Sequence, residues 1–158
     1  MKQRTIVLAV IGVVSLVGGY AAFGEADIRN YPECHTCGTS RRECSHDRMV
    51  VEYADGTKRA ECGLHCAADT LLTQPSRQPK RFRVADYESK RLIDADKAQW
   101  VVYDNRNQCR GSTVELAFAD GKAADRFIAR YGGKRIDFGG ALKIAYYEAA
   151  ARLLPSGR

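Results

Sequence analysis

The sequence has no internal repeat and no low-complexity tract, and proline is scarce, with four in 158 residues. Those absences, with 14 glycines and 45% apolar residues, exclude collagen-like and fully disordered chains. The length suits one domain with a real core and argues against a multi-domain enzyme. Charge of one sign is also in short supply. Lys2 and Arg4 are the only charges before Glu25, so the formal +6 of the whole chain becomes +4 for residues 25–158. That excess is too small and too scattered to point to nucleic acid. Met1 and Met49 are the only methionines, and Met49 sits in a β-rich run that reads as core.

One long stretch lacks charge altogether. Met1 to Arg4 is a basic start, and Thr5 to Gly24 then runs without a charged residue. Residues 1–24 therefore read as a signal peptide or a membrane anchor. Ala22-Phe23-Gly24 and Gly24-Glu25-Ala26 are weak cleavage sites, and residues 5–24 are just long enough to span a bilayer if uncleaved. The basic end would stay cytoplasmic, leaving residues 25–158 as a periplasmic or extracytoplasmic domain. No cysteine follows the apolar run closely, Cys34 being the first, so no lipid-attachment site is present.

The exported domain divides by cysteine content. Residues 31–74 form a cysteine-rich half, and residues 80–154 form a half holding only Cys109. Between them, residues 75–83 read as a basic, proline-containing connector. In the first half, Met49 to Tyr53 is β-rich, Asp55-Gly56 signals a turn, and Thr57 to Glu61 returns as a partner strand. A helix follows from Cys66 to Leu72. In the second half, Trp100 to Tyr103 and Val114 to Phe118 are strands. Asp120 caps a helix through Tyr131, with Ala123, Ala124, Phe127, Ile128 and Tyr131 on one face and Gly132-Gly133 as its stop. A last helix from Gly140 to Leu154 carries the stripe Leu142, Ala145, Tyr146, Ala149 and Leu153. The mixture predicts an α+β fold.

The six cysteines are Cys34, Cys37, Cys44, Cys62, Cys66 and Cys109. Cys34-x-x-Cys37-Gly38 is a knuckle-like pair, and Cys62-x-x-x-Cys66 opens a helix with His65 inside it. A knuckle, a hairpin and a helix start are how small metal sites gather four soft ligands. Thiolates select Cu(I) and Zn(II) over hard ions, and a helix N-terminus favours the thiolate form. In an oxidising compartment the same six cysteines can instead be three disulfides, in any of fifteen pairings. A mixed case leaves Cys44 and Cys109 oxidised and the paired motifs free, and Cys34-x-x-Cys37 also admits a redox reading. His35, His46 and His65 are either ligands or solvated turn residues. Arg41, Arg42 and Arg48 read as a solvated surface, with thiolate stabilisation as the alternative.

Taken in order, Cys34-x-x-Cys37-Gly38, the Asp55-Gly56 hairpin and Gly63-Leu64-His65-Cys66-Ala67-Ala68 resemble the NosL family of nitrous oxide reductase accessory proteins. So do Val84-Ala85-Asp86-Tyr87, Leu92-Ile93-Asp94-Ala95, Ala98-Gln99-Trp100-Val101-Val102, and the closing run from Ala117-Phe118 through Phe127 and Gly132-Gly133 to Phe138. The similarity covers roughly residues 31–148. It implies an exported, membrane-attached, copper-binding protein that supplies Cu(I) to a copper enzyme. The implied fold pairs a treble-clef-like cysteine half with a mixed α+β half related to organomercurial lyase. Thr39 stands where the family usually has methionine after the knuckle, and Gln108-Cys109-Arg110-Gly111 replaces a methionine-containing motif. Both changes remove neutral thioethers, and Cys109 adds a thiolate, which also suits Zn(II).

These readings converge on a non-enzymatic metal-binding accessory protein, a Cu(I) metallochaperone with Zn(II) as the other metal. The expected ligands are Cys34, Cys37, Cys62 and Cys66, with Cys109 or His65 as an exchangeable donor. The expected partners are a copper-dependent enzyme or another metal-receiving client, and the membrane through the N-terminal segment, with no nucleic acid. The alternatives are a disulfide-stapled interaction module without metal, a zinc-bound structural protein, and a thiol-based enzyme. The last is an oxidoreductase or an organomercurial-lyase-like activity with Asp86, Asp94 or Asp104 as proton donor.

Overall fold

The computed structural model describes residues 26–104 and 113–153. The N-terminal apolar segment, Cys109 and the last five residues lie outside them. Among the described residues, no helix is long and apolar enough to cross a membrane.

A short helix α1 (Ala26–Asn30) leads into the cysteine-bearing loop, and a hairpin of β1 (Met49–Tyr53) and β2 (Lys58–Glu61) follows. The two strands pair antiparallel from Met49↔Glu61 to Glu52↔Lys58. Asp55 shapes the turn by accepting from Thr57 N at 2.9 Å. Helix α2 (Leu64–Thr73) comes next, then β3 (Pro79–Ala85) and β4 (Leu92–Asp94). These strands form one sheet in the order β2-β1-β3-β4.

The stretch read as a connector is therefore corrected, because most of it is a central strand. Phe82 and Val84 face the core while Arg81 and Arg83 alternate with them, so the basic residues mark one face of a strand rather than a linker. Pro79 opens the strand, where no ladder donor is lost to it. The pairing of β1 with β3 also joins the cysteine-rich half to the other half in a single sheet.

Strands β5 (Gln99–Asp104), β6 (Thr113–Phe118) and β7 (Lys134–Ile136) make a second antiparallel sheet, ordered β6-β5-β7. A parallel bridge between Asp86 and Ala117 links the sheets. Period-two alternation gives β5 and β6 two buried faces. Trp100 and Ala117 join a core with Met49, Val51, Leu64 and Val84, while Val101, Leu116 and Phe118 join a second core under α3 (Gly121–Tyr131).

Helix α3 begins where expected, the Asp120 side chain accepting from Lys122 N. It buries Ala123, Ala124 and Phe127, but Tyr131 is 48% exposed, at the last turn. It stops at Gly132 and Gly133, both at positive φ. A Cβ on Gly133 would lie 2.8 Å from Val102 O, so this close approach to β5 requires glycine.

Helix α4 (Phe138–Leu153) packs along α2. Its buried line is Ala141, Ala145 and Ala149, with Leu142 partly buried and Tyr146 and Leu153 exposed. The expected stripe is thus rotated. Small side chains face Ala67 and Ala68 of α2, where two helices come close, and the larger ones fall to the flank.

Candidate metal centre

The loop before β1 forms a tight knuckle. Cys34 N donates to Thr39 O and Gly38 N donates to Cys34 O, both at 2.9 Å. Gly38 turns the chain back at φ 71°, a conformation that favours glycine. Cys62 lies just past β2 and Cys66 in the first turn of α2, so the hairpin carries the second pair to the first.

The sulfurs of Cys34, Cys37, Cys62 and Cys66 lie within 4.8 Å of one another. Cys37 to Cys62 is 3.5 Å and Cys62 to Cys66 is 3.4 Å. Zn–S bonds of about 2.3 Å set tetrahedral sulfur–sulfur edges near ~3.8 Å, so these four fit a soft or borderline ion with little movement. None of the five described cysteines is in a disulfide. Cys34, Cys62 and Cys66 are buried, and Cys37 is partly open to solvent. The hydroxyl of Thr39 meets Cys37 Sγ at 3.3 Å, beside the sulfur that solvent can reach.

Hydrogen bonds from the Cys62 and Cys66 thiols hold Cys34 well below its ordinary thiol value. The same contacts push Cys62 and Cys66 up. A metal that binds here must displace the thiol protons.

Glu61 borders the group. It is fully buried, its Oε2 lies 3.1 Å from Cys34 Sγ, and it accepts from Thr36 N at 3.1 Å and from Arg59 Nε at 3.0 Å. Burial and the contact with Cys34 raise its carboxyl to about 7. The sequence reading missed Glu61. Its only signal was its place at the end of the returning strand, next to Cys62.

Among the described residues, no histidine joins the four clustered sulfurs. His65 Nε2 lies 2.9 Å from Glu115 Oε2 and Nδ1 lies 3.4 Å from Glu148 Oε2. Burial lowers the His65 pKa, but the contact with Glu115 and the charges of Glu115 and Glu148 outweigh it and raise it. Glu115 falls on the core side of β6 by strand alternation and is buried. The His65 ring thus links α2 to β6 and α4, and His65 is not in the four-sulfur group. His35 accepts from Ala60 N at 2.8 Å through Nδ1, and His46 Nδ1 lies 2.9 Å from Tyr87 O. Met49 is buried in the core. Cys109, the other expected exchangeable donor, lies outside the described residues.

Two arginines read as solvated are fully buried. Arg41 and Arg48 are both 0% exposed, whereas Arg42 is exposed. Arg41 donates to Glu61 O and Met49 O, and its charge acts on Cys34. The aspartates considered as proton donors are otherwise engaged. Asp86 accepts from Ser89 N and Ala119 N at 2.8 Å each, and Asp94 accepts from Arg81 Nε at 2.7 Å. The side chain of Asp104 is outside the described set.

Comparison with protein families matches residues 25–141 to NosL. Among solved structures, the chain is similar to the copper chaperone NosL from Shewanella denitrificans, at 25% identity and a TM-score of 0.54. That match covers 68% of this chain and 87% of the other. No curated protein sequence matches this chain.

Proposed function

The chain belongs to the NosL family, and we propose on that footing that it is a non-enzymatic, extracytoplasmic metallochaperone for Cu(I). Cys34, Cys37, Cys62 and Cys66 are the ligands in this reading, and Cys109 is the donor that reaches a client. The observation that carries it is the convergence of four sulfurs within 4.8 Å, three buried and one open. Soft thiolates match Cu(I), and a partly exposed sulfur gives an incoming ligand from a client a point of attack. The client is a copper-dependent enzyme such as nitrous oxide reductase, or another metal-receiving protein. Residues 5–24 hold the domain at the outer face of the cytoplasmic membrane or direct its export. The knuckle, hairpin and helix start support a treble-clef-like description of residues 31–74.

A structural Zn(II) site is the second reading, favoured by the burial of three of the four sulfurs and by edges near the tetrahedral value. Elemental analysis and thiol counting on exported full-length protein test both. Bound metal is expected, and it is lost in the Cys62→Ser/Cys66→Ser variant. Copper bound as isolated, or Cu(I) displacing zinc, supports delivery. Zinc that Cu(I) does not displace supports the structural role. Unchanged metal content in the double variant would sink both.

A further inference from the structure

Cys62 stands at the centre of a larger sulfur group than four. Its Sγ lies 3.5 Å from that of Cys37 and 3.4 Å from that of Cys66, and it packs in one buried cluster with Cys34 and Cys44. Cys44 is 2% exposed and packs in the same buried cluster as Cys34, Cys62 and Cys66. It is not one of the four sulfurs that lie mutually within 4.8 Å. Cys44 is therefore no alternative vertex of the same tetrahedron. It extends the buried sulfur group beyond the four.

The backbone holds Cys44 there. Its carbonyl accepts from Arg48 N at 3.0 Å and from Asp47 N at 3.3 Å. The Arg48 side chain ties the same turn down by donating to Ser45 O, Lys90 O and the Asp27 carboxylate.

We propose that the five sulfurs of Cys34, Cys37, Cys44, Cys62 and Cys66 form a site for two Cu(I) ions, with the Cys62 thiolate bridging them. The proposal rests on the metal-binding reading above and deepens it. Five thiolates with one shared offer six metal–sulfur bonds, enough for two three-coordinate Cu(I) ions. Zn(II) takes four donors, so the same group completes a single zinc site. Loading involves no redox step: copper enters and stays as Cu(I), and the thiols that bind it release their protons to solvent. The excess negative charge of the loaded cluster faces the buried Arg41, whose charge already acts on Cys34. Delivery gains from the arrangement, because one ion can leave past the open Cys37 while the bridge retains the other.

The test uses the full chain in detergent, reduced and anaerobic, carrying Cys109→Ser so that the loop thiol adds no copper. Cu(I) is titrated against a chromophoric chelator, Zn(II) is titrated in parallel, and native mass spectrometry counts the ions. The expected result is two Cu(I) but one Zn(II) per chain, with Cu–Cu scattering in the X-ray absorption spectrum. Adding Cys44→Ser should halve the copper capacity, abolish that scattering and leave one Zn(II). A parent that saturates at one Cu(I), or a Cys44→Ser variant that still holds two, overturns the bridge and leaves the metal-binding reading standing. A parent that binds neither metal overturns both. A Cys44→Ser variant that fails to fold would also lose its zinc. The Cu–Cu scattering of the parent then decides, its presence supporting the bridge and its absence overturning it.

Discussion

Arg48 Nη2 donates to Asp27 Oδ1 at 2.7 Å, across 21 residues of chain. The other carboxylate oxygen accepts from Arg48 Nε at 2.9 Å and from Arg41 Nη2 at 2.8 Å. One carboxylate on the first described turn thus pairs with two buried guanidinium groups and offsets one of their two charges. Those two arginines brace both ends of the loop that carries Cys44, and Arg41 also holds β2 through Glu61 O.

Replacing Asp27 with alanine should cost about 3–5 kcal/mol, the usual penalty for leaving buried charge uncompensated. Burial raises the Asp27 carboxyl, but its hydrogen bonds and charge pairing with Arg48 and Arg41 bring the balance below the ordinary carboxylate value. A lowered folded-state pKa contributes stability that is present above the unfolded value of 3.8 and lost as pH falls through the folded one. Urea denaturation of wild type and Asp27→Ala, at neutral pH and below pH 4, checks both statements. Equal stability at neutral pH would refute the role of the clamp.

Asp47 predicts the opposite pH dependence. Burial and the neighbouring Cys44 raise its carboxyl from 3.8 to about 8. Its contribution is fully present below the unfolded value and lost as pH rises through about 8. In the metal-free protein, Asp47→Asn should match wild type near pH 4 and become more stable than it by on the order of 1–3 kcal/mol at pH 9. Thermal melts at both values measure the difference, and a gap independent of pH would count against the assignment.

Metal should stabilise the fold in a way that chelation reverses. A ligand bound only by the folded state adds about 4 kcal/mol at a free concentration of roughly 1,000 times Kd. Tm should rise with Zn(II) in wild type, fall back when a chelator is added, and not respond in Cys66→Ser. A Cys66→Ser Tm that rises as much as wild type would remove Cys66 from the ligand set.

His65→Gln should leave the metal stoichiometry unchanged, because both ring nitrogens face carboxylates rather than sulfurs. It should still destabilise the protein by about 1–3 kcal/mol, since the buried Glu115 loses its partner. Metal content and urea denaturation on one preparation separate the two effects. Loss of metal without loss of stability would restore His65 as a ligand.

Gly133→Ala should destabilise by about 1–3 kcal/mol or more. The residue holds φ at 105°, and a Cβ there meets Val102 O at 2.8 Å and the Val101 side chain at 3.0 Å. A variant as stable as wild type would mean that β5 and the end of α3 part without cost.

Local chemistry made much of this protein legible before any coordinates. The C-x-x-C-Gly knuckle, the Asp-Gly turn and the Asp120 cap depend on neighbours in sequence, and the hairpin and α3 begin and end close to where those residues place them. The convergence of the paired cysteines follows from the same signals, since a short hairpin between two pairs leaves them little else to do.

What the tertiary structure decided are the matters that depend on partners far away in the chain. Residues 75–83 looked like a connector because their charge outweighed their alternation, and only β1 and β4 on either side make Pro79–Ala85 a central strand. Arg41 and Arg48 looked solvated because their partner is distant in sequence, and Asp27 pairs with both from another part of the chain. His65 looked like a ligand because it sits beside Cys66, yet helix geometry turns its ring towards Glu115 and Glu148 of the other half. Sequence determined the local turns, caps and soft donors, whose energetics close within a few residues. Tertiary structure determined which charges are buried and which sulfurs meet, because desolvation and pairing are properties of the packed whole.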